Sequence, residues 1–219
     1  MKKTAIILGA TGLTGNLLLQ KLLNDDRYNL IKVFSRKPIK IKDPKIIEIT
    51  GNILELDSFK NNFTANEVFC CIGTTSKKTP DKELYKKIDI GIPVAAAKLC
   101  KENDINTFVV MSSLGADTKS TVFYNKIKGE MEQAVLKEEI TNTYILRPSI
   151  ILGKRNENRL LEGFGKTMFI TFQFLLFGKL KKYKAIKADD IAMAMLQLAN
   201  LKPDINIIES DEILEFTIK

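Results

Sequence analysis

An apolar strand that runs straight into a glycine-rich turn and then a helix restricts the fold of this chain more tightly than any other stretch. Thr4 to Leu8 is a short apolar segment bounded by Gly9. Glycines recur at positions 9, 12 and 15. Gly15, Leu18, Leu19 and Leu22 then fall at i, i+3, i+4 and i+7, which is one face of a helix. Strand, tight turn and helix in this order open a βα unit, and they are the context a dinucleotide-binding fingerprint requires.

Each glycine has a separate physical reason. Gly9 lets the chain turn sharply out of the strand. Gly12, with no Cβ, lets a pyrophosphate approach the backbone. Gly15 lets the helix pack close to the sheet. Amides at the helix start, helped by the helix dipole, then face the phosphates. Thr11 and Thr14 add hydroxyl donors. The competing reading is an ordinary glycine-rich βα turn, and the flanking strand and helix favour the ligand. The spacing is Gly-x-x-Gly-x-x-Gly, with Ala10 where the strictest fingerprint has a glycine.

A chain of 219 residues, 45% hydrophobic, suffices for one large domain with a sizeable core. The net charge of +8 favours anionic partners in general. Its basic residues are interleaved with acids and accompany no nucleic-acid motif, so no nucleic-acid partner is expected. Cys70, Cys71 and Cys100 have no zinc spacing and are odd in number, so no metal site or disulfide framework is expected. Cysteine usage and the lack of a signal peptide at the start point to a reducing cytoplasm. With no histidine in the chain, triads built on an imidazole and His-ligated metals are excluded. Acid–base chemistry falls to carboxylates, Tyr, Lys or Cys.

Further strands are predicted at Leu30–Phe34, Ile46–Ile49, Val68–Ile72, Phe108–Met111 and Thr143–Leu146, with a closing strand at Ile205–Ile208. Helices are predicted around 57–63, over 88–102, over 122–139 and from Asp189, where an aspartate is placed to cap. Repeated βα units point to an α/β fold, a doubly wound parallel sheet of six to seven strands with a small C-terminal helical cap. Residues 1–219 read as a single NAD(P)-binding domain, with 153–187 as a substrate-pocket or cap insertion. The second strand ends at Ser35-Arg36-Lys37, the position that discriminates between dinucleotides. A hydroxyl and two cations there suit a 2′-phosphate, so NADP(H) is expected over NAD(H). A basic solvated turn is the plainer alternative.

The fifth strand ends at Ser112-Ser113, and Tyr124 and Lys128 follow four residues apart, on one helix face. A phenol beside an ammonium can donate a proton to a carbonyl oxygen, or take one back, because the cation stabilises the phenolate. Lys128, with Tyr124 beside it, would also contact the cofactor by bridging the nicotinamide ribose, and Ser113, ahead of Ser112, would hydrogen-bond the substrate oxygen. Gly129 in mid-helix is tolerable if something must pack closely there.

The segments GATGLTG, CCIGTT, MSSLGAD, YNKIKGE and LRPSIILG resemble the atypical and extended short-chain dehydrogenase/reductases over nearly the whole chain. They look most like the Tat-interacting-protein branch, whose members bind NADPH. The resemblance implies Tyr124 as proton donor and acceptor with Lys128 beside it. It implies cofactor contacts from Thr11, Gly12, Leu13 and Thr14, from Arg36 and Lys37, from Ile72 and Gly73, and from Ile151 and Arg159. It also implies that Asn52 stands where relatives use an aspartate on the adenine. Asp89 occupies the place where active relatives carry the asparagine of a proton relay, so turnover is in more doubt than cofactor binding.

Thr167 to Phe177 is strongly apolar and aromatic and is followed by lysines. At roughly 12 residues it is too short to span a bilayer. It can serve as a lid over a pocket for an apolar carbonyl or alcohol, as a homodimer or partner surface, or as a membrane-surface anchor. The functions weighed are an NADP(H)-dependent oxidoreductase, an NADPH-sensing regulatory or assembly protein with little turnover and, last, a nucleotide-sugar epimerase or dehydratase.

Overall fold

A computed structural model describes residues 2–153 and 178–217. The opening unit is β1 (Lys3–Leu8) followed by α1 (Leu13–Leu23). Ala5 and Ile7 enter one apolar core, Ile6 and Leu8 the other. Alternate side chains can do this only when both sheet faces are covered.

The chain continues through β2 (Tyr28–Ser35), β3 (Ile46–Thr50), β4 (Glu67–Cys70), α2 (Lys82–Lys86), α3 (Ile92–Glu102), β5 (Thr107–Met111), α4 (Phe123–Leu136) and β6 (Asn142–Arg147). After β7 (Ile151–Leu152) come β8 (Ile186–Lys187), α5 (Ala188–Leu201) and β9 (Ile207–Glu209). Seven strands form one sheet in the order β3-β2-β1-β4-β5-β6-β9, and every neighbouring pair is parallel. β7 and β8 form a small separate pair. Helices α1 and α5 close the first core, while α3 and α4 close the second. The doubly wound parallel sheet expected from the sequence is therefore present. Strand order reverses between β1 and β4, which opens a crevice at their carboxyl ends.

Four local expectations change. The helix expected from Ile88 begins at Lys82 and passes through a widened π turn, Lys87–Gly91, into α3. Asp81 starts it by accepting the amides of Glu83 (2.8 Å) and Leu84 (3.3 Å). Its only buried side chain before the π turn is Tyr85, so no apolar period marks it. The helix expected at 57–63 is a 3-10 segment, Ile53–Asn62, broken at Glu55. β4 starts at Glu67, a buried carboxylate held by Lys3 at 2.5 Å and by the Tyr28 hydroxyl. Asp189 does not cap α5, whose N-cap is Lys187 without a side-chain bond. It lies in the first turn, near the positive end of the helix dipole, and pairs with Lys21 of α1 at 2.8 Å. The cap over 153–187 lies, but for its ends, outside the described residues.

Gly129 has a packing reason. A Cβ there would stand 2.4 Å from the Thr118 amide nitrogen and 2.5 Å from the Asp117 carbonyl carbon. In an open helix Gly→Ala gains about 1 kcal/mol. Here overpacking reverses the sign, and Gly129→Ala is expected to destabilise by about 1–3 kcal/mol in urea denaturation.

Candidate active site

The glycine turn is built by close approach. Gly9 has φ +88°, and a Cβ on it would lie 2.8 Å from the Cys71 carbonyl oxygen, so the turns after β1 and β4 touch. A Cβ on Gly15 would lie 2.2 Å from the Gly9 carbonyl oxygen. The Gly12 amide donates to that same oxygen at 2.9 Å. Gly12 is the N-cap of α1, no side chain caps the helix, and no acid stands in its first turn. Thr11 is exposed and Thr14 buried. The Leu13 side chain reaches the chain after β7, where a Cβ on Gly153 would meet it at 2.8 Å.

At the end of β2, Arg36 and Lys37 are exposed. The Ser35 hydroxyl donates to the Lys37 carbonyl at 2.7 Å, so it shapes the turn instead of facing a ligand. Asn52 likewise caps locally, accepting the Leu54 amide at 3.2 Å and donating to Glu55 at 2.9 Å.

Across the crevice, Ile72 is half-buried and Gly73 exposed just beyond β4. The next amide, Thr74, donates to Asp89 Oδ2 at 2.8 Å. Asp89 Oδ1 stands 2.9 Å from Lys128 Nζ and forms an ion pair with it. Both groups are buried, Asp89 at 0% and Lys128 at 3% exposure. Burial alone would pull the Lys128 ammonium down, but the Asp89 carboxylate and the Tyr124 phenol outweigh it and hold it above the ordinary lysine value. Tyr124, one turn earlier on α4, is 39% exposed at the rim. A Cβ on Gly73 would lie 3.6 Å from Asp89 Oδ1 and 3.8 Å from Lys128 Nζ, so the pair lies directly beneath that residue.

The two serines after β5 differ. The Ser112 hydroxyl donates to Glu132, which Arg147 grips through Nε (3.0 Å) and Nη2 (2.5 Å) while also reaching Glu209 at 3.0 Å. Ser112 thereby belongs to a network tying α4, β6 and β9 together. Ser113 Oγ is buried and has no hydrogen-bond partner among the described residues. A buried hydroxyl left unpaired is costly unless something else satisfies it.

One participant escapes the sequence reading, and another gains a contact that the sequence does not show. Asp89 is the buried counter-ion of Lys128; its position was singled out, but not that contact. Tyr85, whose hydroxyl donates to the Thr74 carbonyl at 3.4 Å and whose ring packs on Phe123 at 5.4 Å, braces the turn that carries Gly73. Its only sequence signal is an aromatic residue in a lysine-rich stretch. Ile151 pairs with Ile186 and packs against the first core. Arg159 and the apolar run 167–177 lie outside the described residues. Among the described residues no cluster of three metal-ligating side chains occurs, and no helix is long and apolar enough to cross a membrane.

The residues present fit a dinucleotide. An uncapped helix start borders backbone that tolerates no Cβ, cations stand at the end of β2, and the Ser113 hydroxyl has no partner among the described residues.

A protein-family model described as NAD(P)H-binding matches residues 9–200. Protein FMP52, mitochondrial, of Debaryomyces hansenii is 32% identical over 206 residues, covering 90% of this chain and 88% of that protein. Protein HTATIP2 of Rattus norvegicus is 28% identical over 171 residues, covering 76% and 70%. Among solved structures, the Bordetella bronchiseptica enzyme WbmH in complex with NAD+ superposes with a TM-score of 0.73 at 14% identity, covering 95% of this chain and 75% of that one. UDP-glucose 4-epimerase of Thermotoga maritima gives 0.70 at 17%, covering 94% and 75%. At such identities the structures attest the fold alone. The cytoplasmic location expected above is overturned, since the FMP52 relatives are named mitochondrial proteins. Cysteine usage reports a reducing environment and does not distinguish one reducing compartment from another. The chain belongs to the NAD(P)H-binding family and has an extended short-chain-dehydrogenase-like Rossmann fold.

Proposed function

We propose that this chain is an NADP(H)-dependent oxidoreductase acting on a carbonyl or alcohol. The observation that carries the reading is the buried Lys128 ammonium beneath Gly73 at the switch point, with Tyr124 one helical turn above it and the unpartnered Ser113 hydroxyl after the adjacent strand. A nicotinamide bound there would supply or accept the hydride. Tyr124 gives a proton to the carbonyl oxygen, or removes one from the alcohol, and Lys128 stabilises the phenolate left behind. Ser113 donates to the substrate oxygen as charge grows on it. The amides of Gly12 to Gly15 hold the diphosphate, and Arg36 with Lys37 holds the 2′-phosphate. Ser112 acts through Glu132 and touches no substrate. The names of the fungal relatives favour a mitochondrial setting for this chemistry.

A second reading, a redox-sensing protein with little turnover, is favoured by one observation: Asp89 already neutralises Lys128 and so weakens its pull on the phenolate. One experiment separates the two. NADPH and NADH are titrated by cofactor fluorescence, with no tryptophan in the chain to interfere. Wild type and Tyr124→Phe are then assayed on a panel of carbonyl compounds. The oxidoreductase reading expects tighter NADPH than NADH, and a loss of about a hundredfold or more in kcat for Tyr124→Phe with its NADPH affinity unchanged. NADPH binding by both proteins with turnover by neither selects the sensor. Tighter NADH overturns the assignment of Arg36 and Lys37.

A further inference from the structure

The Asp89–Lys128 pair does more than fill the site. Asp89 lies in the π turn Lys87–Gly91, a widened turn of the kind that often re-aims side chains at functional positions. Its carboxylate bridges two parts of the crevice, the Thr74 amide at 2.8 Å and the Lys128 ammonium at 2.9 Å. Charges buried this deeply are poorly screened, so each acts on any charge placed beside it. The redox forms of a nicotinamide differ in just that respect, because the oxidised ring is cationic and the reduced ring neutral. An ammonium standing alone beneath Gly73 would disfavour the oxidised form. A carboxylate 2.9 Å from it cancels most of that field.

We propose that Asp89 is a specificity-determining residue for the redox state of the cofactor, its carboxylate offsetting Lys128 so that the oxidised dinucleotide is retained as well as the reduced one. The inference rests on the proposed dinucleotide site and adds to it a property that the hydride-transfer residues do not supply. Other ionisable groups near the pair are Tyr124, Tyr85 and Cys70. Burial, followed by the Asp89 field, pushes the Tyr85 phenol up, and burial likewise pushes up the Cys70 thiol, so neither supplies an alternative negative charge at neutral pH.

Asp89→Asn tests this, since the amide keeps an acceptor for the Thr74 amide and removes the charge. NADPH is titrated by its fluorescence and NADP+ by displacement of NADPH. The two ligands share every group but the ring, so the ratio of their dissociation constants isolates the ring's charge. Taking an effective dielectric of about 20 and a separation of roughly 10 Å, one unit charge changes affinity on the order of tenfold. Asp89→Asn is expected to raise Kd(NADP+)/Kd(NADPH) by about that factor. Lys128→Gln is the reciprocal variant and is expected to lower the ratio. The double variant, neutral again, is expected to return it toward wild type. A ratio unmoved in Asp89→Asn overturns the inference, as does a double variant that keeps the ratio of Asp89→Asn. If Asp89→Asn does not fold, Lys128→Gln decides by the direction in which its ratio moves. Wild-type protein that binds neither dinucleotide refutes the underlying site instead, and the two failures are distinct.

Discussion

Gly15→Ala is expected to abolish measurable NADPH binding at micromolar cofactor while leaving Tyr124, Lys128 and Ser113 in place. The added methyl would lie 2.2 Å from the Gly9 carbonyl oxygen, 2.8 Å from the Gly9 carbonyl carbon and 3.2 Å from Cys71 Cβ. Two of those atoms are backbone and cannot swing away. The backbone at Gly9 cannot retreat either, because it already rests on the Cys71 carbonyl, and the Cys71 amide is bonded to Leu8 at 2.9 Å. The first turn of α1 must therefore lift from the sheet, breaking the 2.9 Å bond from the Gly12 amide to Gly9. Overpacking of this kind costs about 1–3 kcal/mol in stability. The phosphate cradle loses more, since amides displaced by an ångström no longer converge on one anion. A Kd increase of about a hundredfold or more follows, each factor of ten being about 1.4 kcal/mol. Gly91→Ala is the control. Its added Cβ meets nothing nearer than Lys86 O at 4.0 Å among the described residues, at the end of the π turn that leads into α3, so it should bind NADPH as wild type does. Unaltered NADPH affinity in Gly15→Ala would remove the glycine turn from the site.

The same turn shows what could be read from residues alone and what could not. The strand–glycine–helix opener was legible because its signals are local: apolar run, glycine spacing and helical period all lie within about 20 residues. The parallel sheet followed because the later strands are short, mostly apolar segments separated by helical ones, with Val68–Ile72 apolar throughout. Glu67 hid the start of β4, since its buried charge is explained only by Lys3 and Tyr28, far off in sequence. Lys82–Lys86 carries no helical signal in the sequence because its helix is held by a cap and one buried tyrosine instead of an apolar stripe. The site divides in the same way. Tyr124 and Lys128 were legible from their spacing. The sequence ranks Ser113 ahead of Ser112 without a local reason, and the Glu132–Arg147–Glu209 network is what engages Ser112 elsewhere. Asp89 stood out by its residue type, but its pairing depends on a π turn that no spacing rule predicts. Ser35, offered as a phosphate ligand, is occupied by the turn it helps to form.

Lys128→Met is expected to be among the most destabilising single substitutions in the described chain, by about 3–5 kcal/mol, because it leaves the Asp89 carboxylate at 0% exposure without its counter-ion. The Thr74 amide remains bonded to Oδ2, but one neutral donor does not replace an ammonium at 2.9 Å. The loss is read from the urea midpoint at unchanged slope. The double variant Asp89→Leu, Lys128→Met removes both charges and should recover most of it, since two buried charges replaced together by apolar groups are often close to neutral. Lys126→Met, two positions earlier on the same helix, calibrates the comparison. Its partner Glu130 is 4.0 Å away and both side chains are exposed, so it should cost no more than about 0.5 kcal/mol. A Lys128→Met variant as stable as Lys126→Met would mean that Asp89 finds water or another donor, and the pair would then not be the buried, poorly screened unit on which the redox preference depends. A large loss that the double variant restores would establish that Asp89 and Lys128 are held together by charge, with their value lying in the site they shape and not in the stability of the fold.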